Sequence, residues 1–112
     1  MTTLSLQQRI GEWGDRTFPR STLHSIHAHL SDEVAELADD ILGDHDYLTG
    51  MREEAADCAI LLFQLAHHAG FDLLSEIERK FAVNRMRVWG EPDERGVVKH
   101  KEMSADPNRD AQ

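Results

Sequence analysis

The segment from Ala55 to Phe63 constrains the fold more than any other part of the chain, because it is apolar at every position except Asp57. Such a run predicts a helix at the centre of a hydrophobic core, since folding removes apolar surface from water. It falls far short of the roughly 20 residues that a membrane-spanning helix needs. Asp57 is therefore the least expected residue of the chain, and a buried carboxylate there would need a chemical reason.

Composition and length favour a small all-α protein. Ala, Leu, Glu and Arg are common while Val, Thr and Tyr are scarce, a bias that favours helix over strand. The 112 residues are enough for one domain. We expect an antiparallel bundle of about four helices in residues 1–101 and a polar tail in residues 102–112. A chain this short buries its most apolar helix better against a second copy, so oligomerisation is expected to complete the bundle.

The first two helices are placed by apolar residues at helical spacing and by capping residues. The first is expected in residues 4–18, where Pro19 stops it. The second is expected in residues 21–42, with Ser21 or Thr22 as its N-cap and a glycine at its end.

The third helix, in residues 49–69, contains the apolar run and is expected to form the centre of the core. It ends at Gly70, and Asp72 is the expected N-cap of a fourth helix that continues to residues 89–90. Beyond this point the helical periodicity is lost. Only the segment GVVKH, residues 96–100, is expected to pair or pack there.

Charge and cysteine content narrow the classes of function. The formal net charge of −9 argues against a protein whose main task is to hold a nucleic-acid backbone, because that task needs clustered Lys and Arg. The single cysteine, Cys58, cannot form an intrachain disulfide, which fits a reducing compartment. No leader or membrane-length segment is recognisable. We therefore expect a cytoplasmic protein without nucleic-acid or membrane partners.

Two pairs of acidic residues stand three positions apart on the predicted second and third helices. They are Glu33 with Glu36 in DEVAE and Glu54 with Asp57 in EEAAD. Residues three apart share one helix face, and each pair adjoins the apolar stripe of its helix. The four carboxylates are therefore predicted to face the seam between the two helices.

Four clustered carboxylates need a positive charge, because like charges in a partly buried site drive one another's protonation. Mg²⁺ suits this role, since it takes oxygen ligands and keeps water molecules that phosphates can displace. We predict a Mg²⁺ site, with Mn²⁺ as a possible substitute, whose ligands are Glu33, Glu36, Glu54 and Asp57. The alternatives are a solvated acidic face for Glu33 and Glu36, and a buried Asp57 that caps backbone or pairs with an arginine.

Lys80, Asn84 and Arg87 follow one another at spacings of four and three on the predicted fourth helix. This spacing places them on one face, where cations can bind phosphate oxygens and the amide can bind a sugar or base. The alternative is a basic last turn that interacts with the helix dipole.

With these residues located, the chain resembles the MazG-like all-α nucleoside triphosphate pyrophosphohydrolases. Their hallmark is E-E-x-x-E followed by E-x-x-D, and this chain has DEVAE at residues 32–36 and EAAD at residues 54–57. The resemblance covers residues 7–101. It extends to the small dATP/dGTP diphosphohydrolase subgroup, often carried by phages, through the segments RIGEWGDRTFP, HLSDEVAEL, NRMRVWG and GVVKH.

The resemblance implies Mg²⁺-dependent hydrolysis of nucleoside triphosphates, dATP or dGTP above all, to the monophosphate and pyrophosphate. It implies that Lys80, Asn84 and Arg87 contact the phosphates and nucleoside. The first glutamate of the hallmark is Asp32 here, whose shorter side chain suits the orientation of water better than direct ligation. The general base is then Asp32, Glu33 or Glu36.

The family is typically oligomeric, which implies a homodimer or homotetramer in a bacterial or phage-infected cell. Trp13 and Phe18 would then contribute to a nucleobase pocket near an interface, or else pack in the core.

Rival interpretations are weaker. A non-catalytic helical dimerisation or nucleotide-sensing module would keep the apolar stripes but has no need of four carboxylates at a seam. A ferritin-like di-iron site needs histidines three residues after glutamates, and none is so placed. The pair His45-Asp46, typical of HD-type phosphohydrolases, lies in a predicted loop. His29, one turn before Glu33, is expected at the surface or behind the metal ligands.

Overall fold

The computed structural model describes residues 4–43 and 47–101. These residues form four α-helices, which are Leu6–Thr17 (α1), Leu23–Leu42 (α2), Tyr47–Ala69 (α3) and Leu73–Met86 (α4). The predicted all-α class is confirmed, because the strand-like pairing in the described ranges amounts to one isolated antiparallel bridge. The predicted tail, residues 102–112, lies outside the described residues. The chain divides into two compact units, with the boundary between Glu76 and Ile77.

The first unit contains α1, α2 and α3, and α3 packs against both of the others. Among the described residues, the buried apolar side chains are Ile26 of α2 and Leu61, Phe63 and Ala66 of α3. The prediction that the third helix forms the centre of the core is therefore confirmed. None of the described helices alone is long and apolar enough to span a membrane, and only residues 48–69 taken with 73–86 pass that test by length and composition.

Reciprocal hydrogen bonds fix the starts of α1 and α2. Ser5 Oγ accepts from the backbone N–H of Gln8 at 3.1 Å, while Gln8 Oε1 accepts from the backbone N–H of Ser5 at 2.7 Å. Thr22 and Ser25 form the same arrangement before α2. Thr22, not Ser21, is therefore the N-cap of α2, because its side chain takes up a backbone donor that has no partner within the helix.

The amide of Gln7 joins α1 to the turn between α3 and α4. Its Nε2 donates to the carbonyl of Phe71 at 2.7 Å, and its Oε1 accepts from the backbone N–H of Leu73 at 2.9 Å. One side chain thus satisfies a carbonyl beyond the end of α3 and a donor at the start of α4. The turn itself begins at Gly70, whose φ of 90° is a left-handed conformation that glycine adopts without steric cost.

In the second unit, α4 ends at Met86, so the expected continuation to residues 89–90 is wrong. Val88 and Gly90 instead pair with the segment at residues 99–101, through backbone bonds of 2.7 and 2.8 Å. The indole N–H of Trp89 donates to the carbonyl of Asn84 at 2.9 Å, which satisfies an acceptor near the helix end. The prediction that GVVKH pairs is confirmed by the bridge between Trp89 and His100.

Candidate active site

Three carboxylates from two helices converge in the first unit. One oxygen each of Glu33 and Glu36 on α2 and of Glu54 on α3 lie within 4.8 Å of one another. We call these three side chains the acid cluster. Oε2 of Glu33 and Oε2 of Glu54 are buried, and neither has a hydrogen-bond partner in the described part of the chain. Buried polar atoms without partners are uncommon in folded proteins, so these two oxygens indicate a missing ligand.

The electrostatics of the acid cluster show that it holds a proton. The pKa of Glu54 is raised to about 8, because its protonated carboxyl donates to Glu33 and because burial and the neighbouring charges disfavour ionisation. The pKa of Glu33 is lowered, chiefly because it accepts that hydrogen bond. The pKa of Glu36 is raised by its hydrogen bond with Glu33 and by the charge of Glu33. At neutral pH the cluster therefore keeps a proton where a cation would bind.

The donor set of the acid cluster fits a hard divalent cation. All three side chains offer oxygen, which Mg²⁺ and Mn²⁺ prefer. Among the described residues, the acid cluster is the one group of at least three possible ligands that lie close enough to share an ion. It contains no histidine. A di-iron site of the ferritin type is therefore not supported. The His45-Asp46 pair lies outside the described residues.

His29 supports the acid cluster from one turn earlier on α2. Its Nε2 lies 3.2 Å from Oε1 of Glu33, while its own side chain is 56% exposed and that of Glu33 is 14% exposed. The imidazole thus holds one oxygen of Glu33 and leaves Oε2 directed elsewhere. His29 is both a surface residue and a partner of a candidate ligand, so the two expectations for it are not exclusive.

Asp57 is exposed in the described chain, so it is not buried as the apolar run around it suggested. Its neighbours Ala56 and Ala59 are exposed as well, and the first buried residue of α3 among those described is Leu61. The apolar run was a poor guide because successive residues of a helix face different directions. Asp57 does line a cavity together with Glu33. Its role as a fourth metal ligand stays a prediction.

Aromatic side chains adjoin the acids in this cavity of about 160 Å³, which we call the aromatic cavity. Trp13 and Phe18 line it, and their rings meet edge to face with centroids 5.3 Å apart and planes at 89°. Both side chains are more than 40% exposed, which is unlike core packing. The cavity therefore combines an apolar aromatic wall with the carboxylates of Glu33 and Asp57.

Gln64 is a residue of this site that the sequence analysis missed. It is 8% exposed and lines the aromatic cavity from α3. The available signal was its position, because it is a polar residue in an apolar stretch and lies seven residues after Asp57, on the same helix face.

The remaining predicted site residues are not part of the acid cluster. Asp32 is exposed on α2, and its charge is the smallest of the causes that raise the pKa of Glu36. Lys80, Asn84 and Arg87 belong to the second unit. Lys80 is exposed, Oδ1 of Asn84 is buried without a partner among the described residues, and Arg87 lies one residue past the end of α4. The expected shared helix face is thus incomplete, and the catalytic and substrate-binding roles of these residues stay predictions.

Two phage proteins are similar to this chain in sequence. No family model matches the chain. It is 39% identical over 88 residues to a dATP/dGTP diphosphohydrolase of Salmonella phage PMBT28, a match that covers 79% of this chain and 28% of the relative. It is 35% identical over 101 residues to a dATP/dGTP diphosphohydrolase of Cyanophage S-2L, which covers 88% of each. The chain thus spans just over a quarter of the Salmonella phage relative and most of the cyanophage one.

A solved structure shares the fold. The Cyanophage S-2L MazG-like pyrophosphohydrolase, bound to dGDP and three catalytic Mn²⁺ ions per active site, superposes with a TM-score of 0.69 and is 33% identical. The match covers 88% of this chain and 92% of that one. Since the identity, coverage, helical fold and acid cluster agree, the chain belongs to the MazG-like family of phage dATP/dGTP diphosphohydrolases.

Proposed function

We propose that this protein hydrolyses dATP and dGTP between the α and β phosphates, with divalent metal ions as cofactor, and releases the deoxynucleoside monophosphate and pyrophosphate. The observation that carries the proposal is the acid cluster, with two buried oxygens that lack partners and a proton retained on Glu54. The cyanophage relative supports the metal and the nucleotide, because its structure contains Mn²⁺ and dGDP.

Glu33, Glu36 and Glu54 would hold the metal ions, with Asp57 as a further ligand at the edge of the aromatic cavity, which from here on is called the nucleotide cavity. When bound, the ions neutralise charge on the phosphates and lower the pKa of an attacking water. Mg²⁺ is the expected physiological ion and Mn²⁺ a substitute, because both accept this all-oxygen set of ligands.

The carboxylates of α2 would also accept the proton that the attacking water loses. Asp32 and Glu36 are exposed and can be reached by water, whereas Oε2 of Glu33 is buried. His29 would keep Glu33 in its position throughout, because its ring nitrogen lies 3.2 Å from Oε1 of Glu33, while Oε2 is buried without a partner among the described residues.

The aromatic wall of the nucleotide cavity would receive the base. Trp13 and Phe18 present exposed ring surface beside Glu33 and Asp57, so a nucleotide with its phosphates at the acids can place its base against the rings. Phosphate and nucleoside contacts are assigned to Lys80, Asn84 and Arg87, because the family resemblance implies these roles.

We also propose that the protein works as a homodimer or homotetramer in the cytoplasm of a bacterial or phage-infected cell. The support is the exposure of large apolar side chains on α2, where Val34, Ile41 and Leu42 are 50%, 55% and 81% exposed. Such a surface is unfavourable in water unless another molecule covers it. Sedimentation equilibrium tests this part, and a monomer at micromolar concentration would contradict it.

The activity is tested by pyrophosphate and orthophosphate release from a panel of ribo- and deoxyribonucleoside triphosphates with Mg²⁺. Glu54→Gln is compared with Glu53→Gln, a matched control because Glu53 is exposed and outside the acid cluster. We expect pyrophosphate from dATP and dGTP with the wild type and the control, and a loss of about a hundredfold or more in Glu54→Gln. Absence of pyrophosphate release by the wild type from every nucleotide would contradict the proposal.

A further inference from the structure

We propose that Gln64 reads the hydrogen-bonding edge of the purine base and so determines the base specificity of the enzyme. The inference rests on the proposed function and deepens it, because it assigns the choice of base to one side chain.

Gln64 is a buried amide that faces a cavity instead of a partner. It is 8% exposed. Among the described residues, Gln64 is the one buried residue with a polar side chain. Almost all polar groups at this depth have a hydrogen-bond partner. The amide of Gln64 makes no hydrogen bond to any residue in the described ranges, and the residue lines the nucleotide cavity. A ligand in the cavity would supply the missing partners.

The position of Gln64 along α3 suits contact with a base. It lies seven residues after Asp57, which is two helical turns on the same face and about 10 Å along the axis. Both residues line the nucleotide cavity, whose wall between them includes Leu61. A nucleotide with its phosphates beside Glu33 and Asp57 therefore extends towards Gln64 with its sugar and base.

A glycine of α1 packs against the amide of Gln64. Phe18 and Gln64 both line the nucleotide cavity and an adjoining cavity of about 240 Å³ that also contacts Gly14. A Cβ atom on Gly14 would lie 3.3 Å from Nε2 of Gln64, so the backbone of α1 packs directly against the amide. The side chain is thus positioned by α1 before any ligand binds, as a specificity-determining group must be.

A carboxamide suits both purines because it donates and accepts at adjacent atoms. On its Watson–Crick edge, adenine presents the N6 amino donor beside the N1 acceptor. Guanine presents the N1–H donor beside the O6 acceptor, so rotation of the amide allows the same side chain to pair with either base. A pyrimidine is a smaller ring, and its edge would lie farther from Gln64 when its sugar and phosphates are held in the same place.

Two substitutions test the inference through ratios of kcat/KM for dATP, dGTP, dCTP and dTTP. Gln64→Glu replaces the donor with an acceptor, which repels N1 of adenine and accepts from N1–H and the 2-amino group of guanine. We expect the dGTP to dATP ratio to rise about tenfold or more. Gln64→Met keeps the length and removes both polar atoms. We expect it to lower kcat/KM for both purines by about tenfold to a hundredfold, mainly through KM, and to leave the pyrimidines nearly unchanged.

The controls separate this inference from the proposed function. Mg²⁺ should raise the melting temperature of both variants as it does for the wild type, because Gln64 is not part of the acid cluster. Wild-type ratios among the four nucleotides in folded Gln64→Glu and Gln64→Met would overturn the inference. If neither variant folds, Gly14→Ala decides, since it keeps the amide but displaces it. A change in the purine to pyrimidine ratio supports the inference, and an unchanged ratio overturns it.

Failure of the proposed function has a different signature. In that case the wild type releases no pyrophosphate from any nucleotide, and the inference is decided by the dissociation constants of dGDP and dCDP in Mn²⁺ buffer. A preference for dGDP that Gln64→Met removes would support the role of Gln64, and equal preference in wild type and variant would overturn it.

Discussion

The two halves of α3 differ in what covers them, although both come from one mainly apolar sequence. The first half carries Glu54 and the exposed Asp57, and its carboxylates meet those of α2 in a cluster that keeps a proton. The second half holds three of the buried apolar side chains of the described chain, together with Gln64. Core packing and the candidate metal site therefore occupy different halves of one helix. The packed half contributes to the core, and the uncovered half carries carboxylates that can bind a metal ion.

The largest expected effect is on turnover, at Asp57 in the uncovered half. We predict that Asp57→Asn lowers kcat for dGTP by about a hundredfold or more, because the amide cannot supply the charge that a Mg²⁺ ligand needs. The melting temperature should stay close to that of the wild type, since Asp57 is exposed. Pyrophosphate release and circular dichroism check the two parts. Wild-type turnover in this variant would remove Asp57 from the site.

The packed half should respond in stability. Leu61 is 5% exposed whereas Leu62, the next residue, is 39% exposed. We predict that Leu61→Ala lowers the free energy of unfolding by about 2–5 kcal/mol, because it leaves a cavity in the core, and that Leu62→Ala lowers it by about 1 kcal/mol or less. Urea denaturation with Mg²⁺ present measures both. Equal losses at the two positions would contradict the difference in burial.

The acid cluster should make the stability of the metal-free protein depend on pH. The pKa of Glu54 rises from 4.5 to about 8 on folding, because it donates to Glu33 in a partly buried site. The folded state therefore binds more protons than the unfolded state between these values, and stability is lost as pH rises through this window. The raised pKa of Glu36 likewise makes stability fall as pH rises. The lowered pKa of Glu33 has the opposite effect, at pH values below 4.5, where stability rises with pH.

This predicts a fall in the melting temperature of the metal-free wild type between pH 5.5 and pH 8. The fall should be smaller in Glu54→Gln, and saturating Mg²⁺ should reduce it in the wild type because the ion replaces the proton. Differential scanning calorimetry in EDTA and in Mg²⁺ makes the comparison. The control Glu53→Gln should behave as the wild type does, and a pH dependence equal in all three proteins would contradict the assignment to Glu54.

The smallest effect is expected at His29, which touches the acid cluster from outside. We predict that His29→Ala weakens Mn²⁺ binding by about tenfold and lowers turnover at limiting metal, since Glu33 loses the group that orients it. Activity should recover at high Mg²⁺. Loss of activity that no metal concentration restores would show that His29 acts in the chemistry itself.

Local signals made much of the fold predictable from the sequence. Helix starts and ends were located by residues whose effect is confined to a few neighbours, such as Thr22 before α2, Gly43 after it and Gly70 after α3. The convergence of Glu33, Glu36 and Glu54 was also predictable, because spacing fixes a face within a helix and the two helices were expected to be adjacent.

The rest depends on contacts between residues far apart in sequence. The end of α4 is set by pairing of Trp89 with His100, which helical periodicity does not report. The exposure of Asp57 depends on how far α1 and α2 cover α3, which an apolar run cannot reveal. In the sequence, Gln64 is distinguished only as one polar residue in an apolar stretch. The structure adds that Gly14 packs against its amide and that Phe18 lines the same cavity.

A divalent ion is expected to replace the proton of the acid cluster. Isothermal titration of Mn²⁺ at pH 7, repeated in buffers of different ionisation enthalpy, measures the protons released on binding. The account predicts release of about one proton per cluster in the wild type and in Glu53→Gln, and weak binding without release in Glu54→Gln. Equal Mn²⁺ affinity and equal proton release in all three proteins would contradict it.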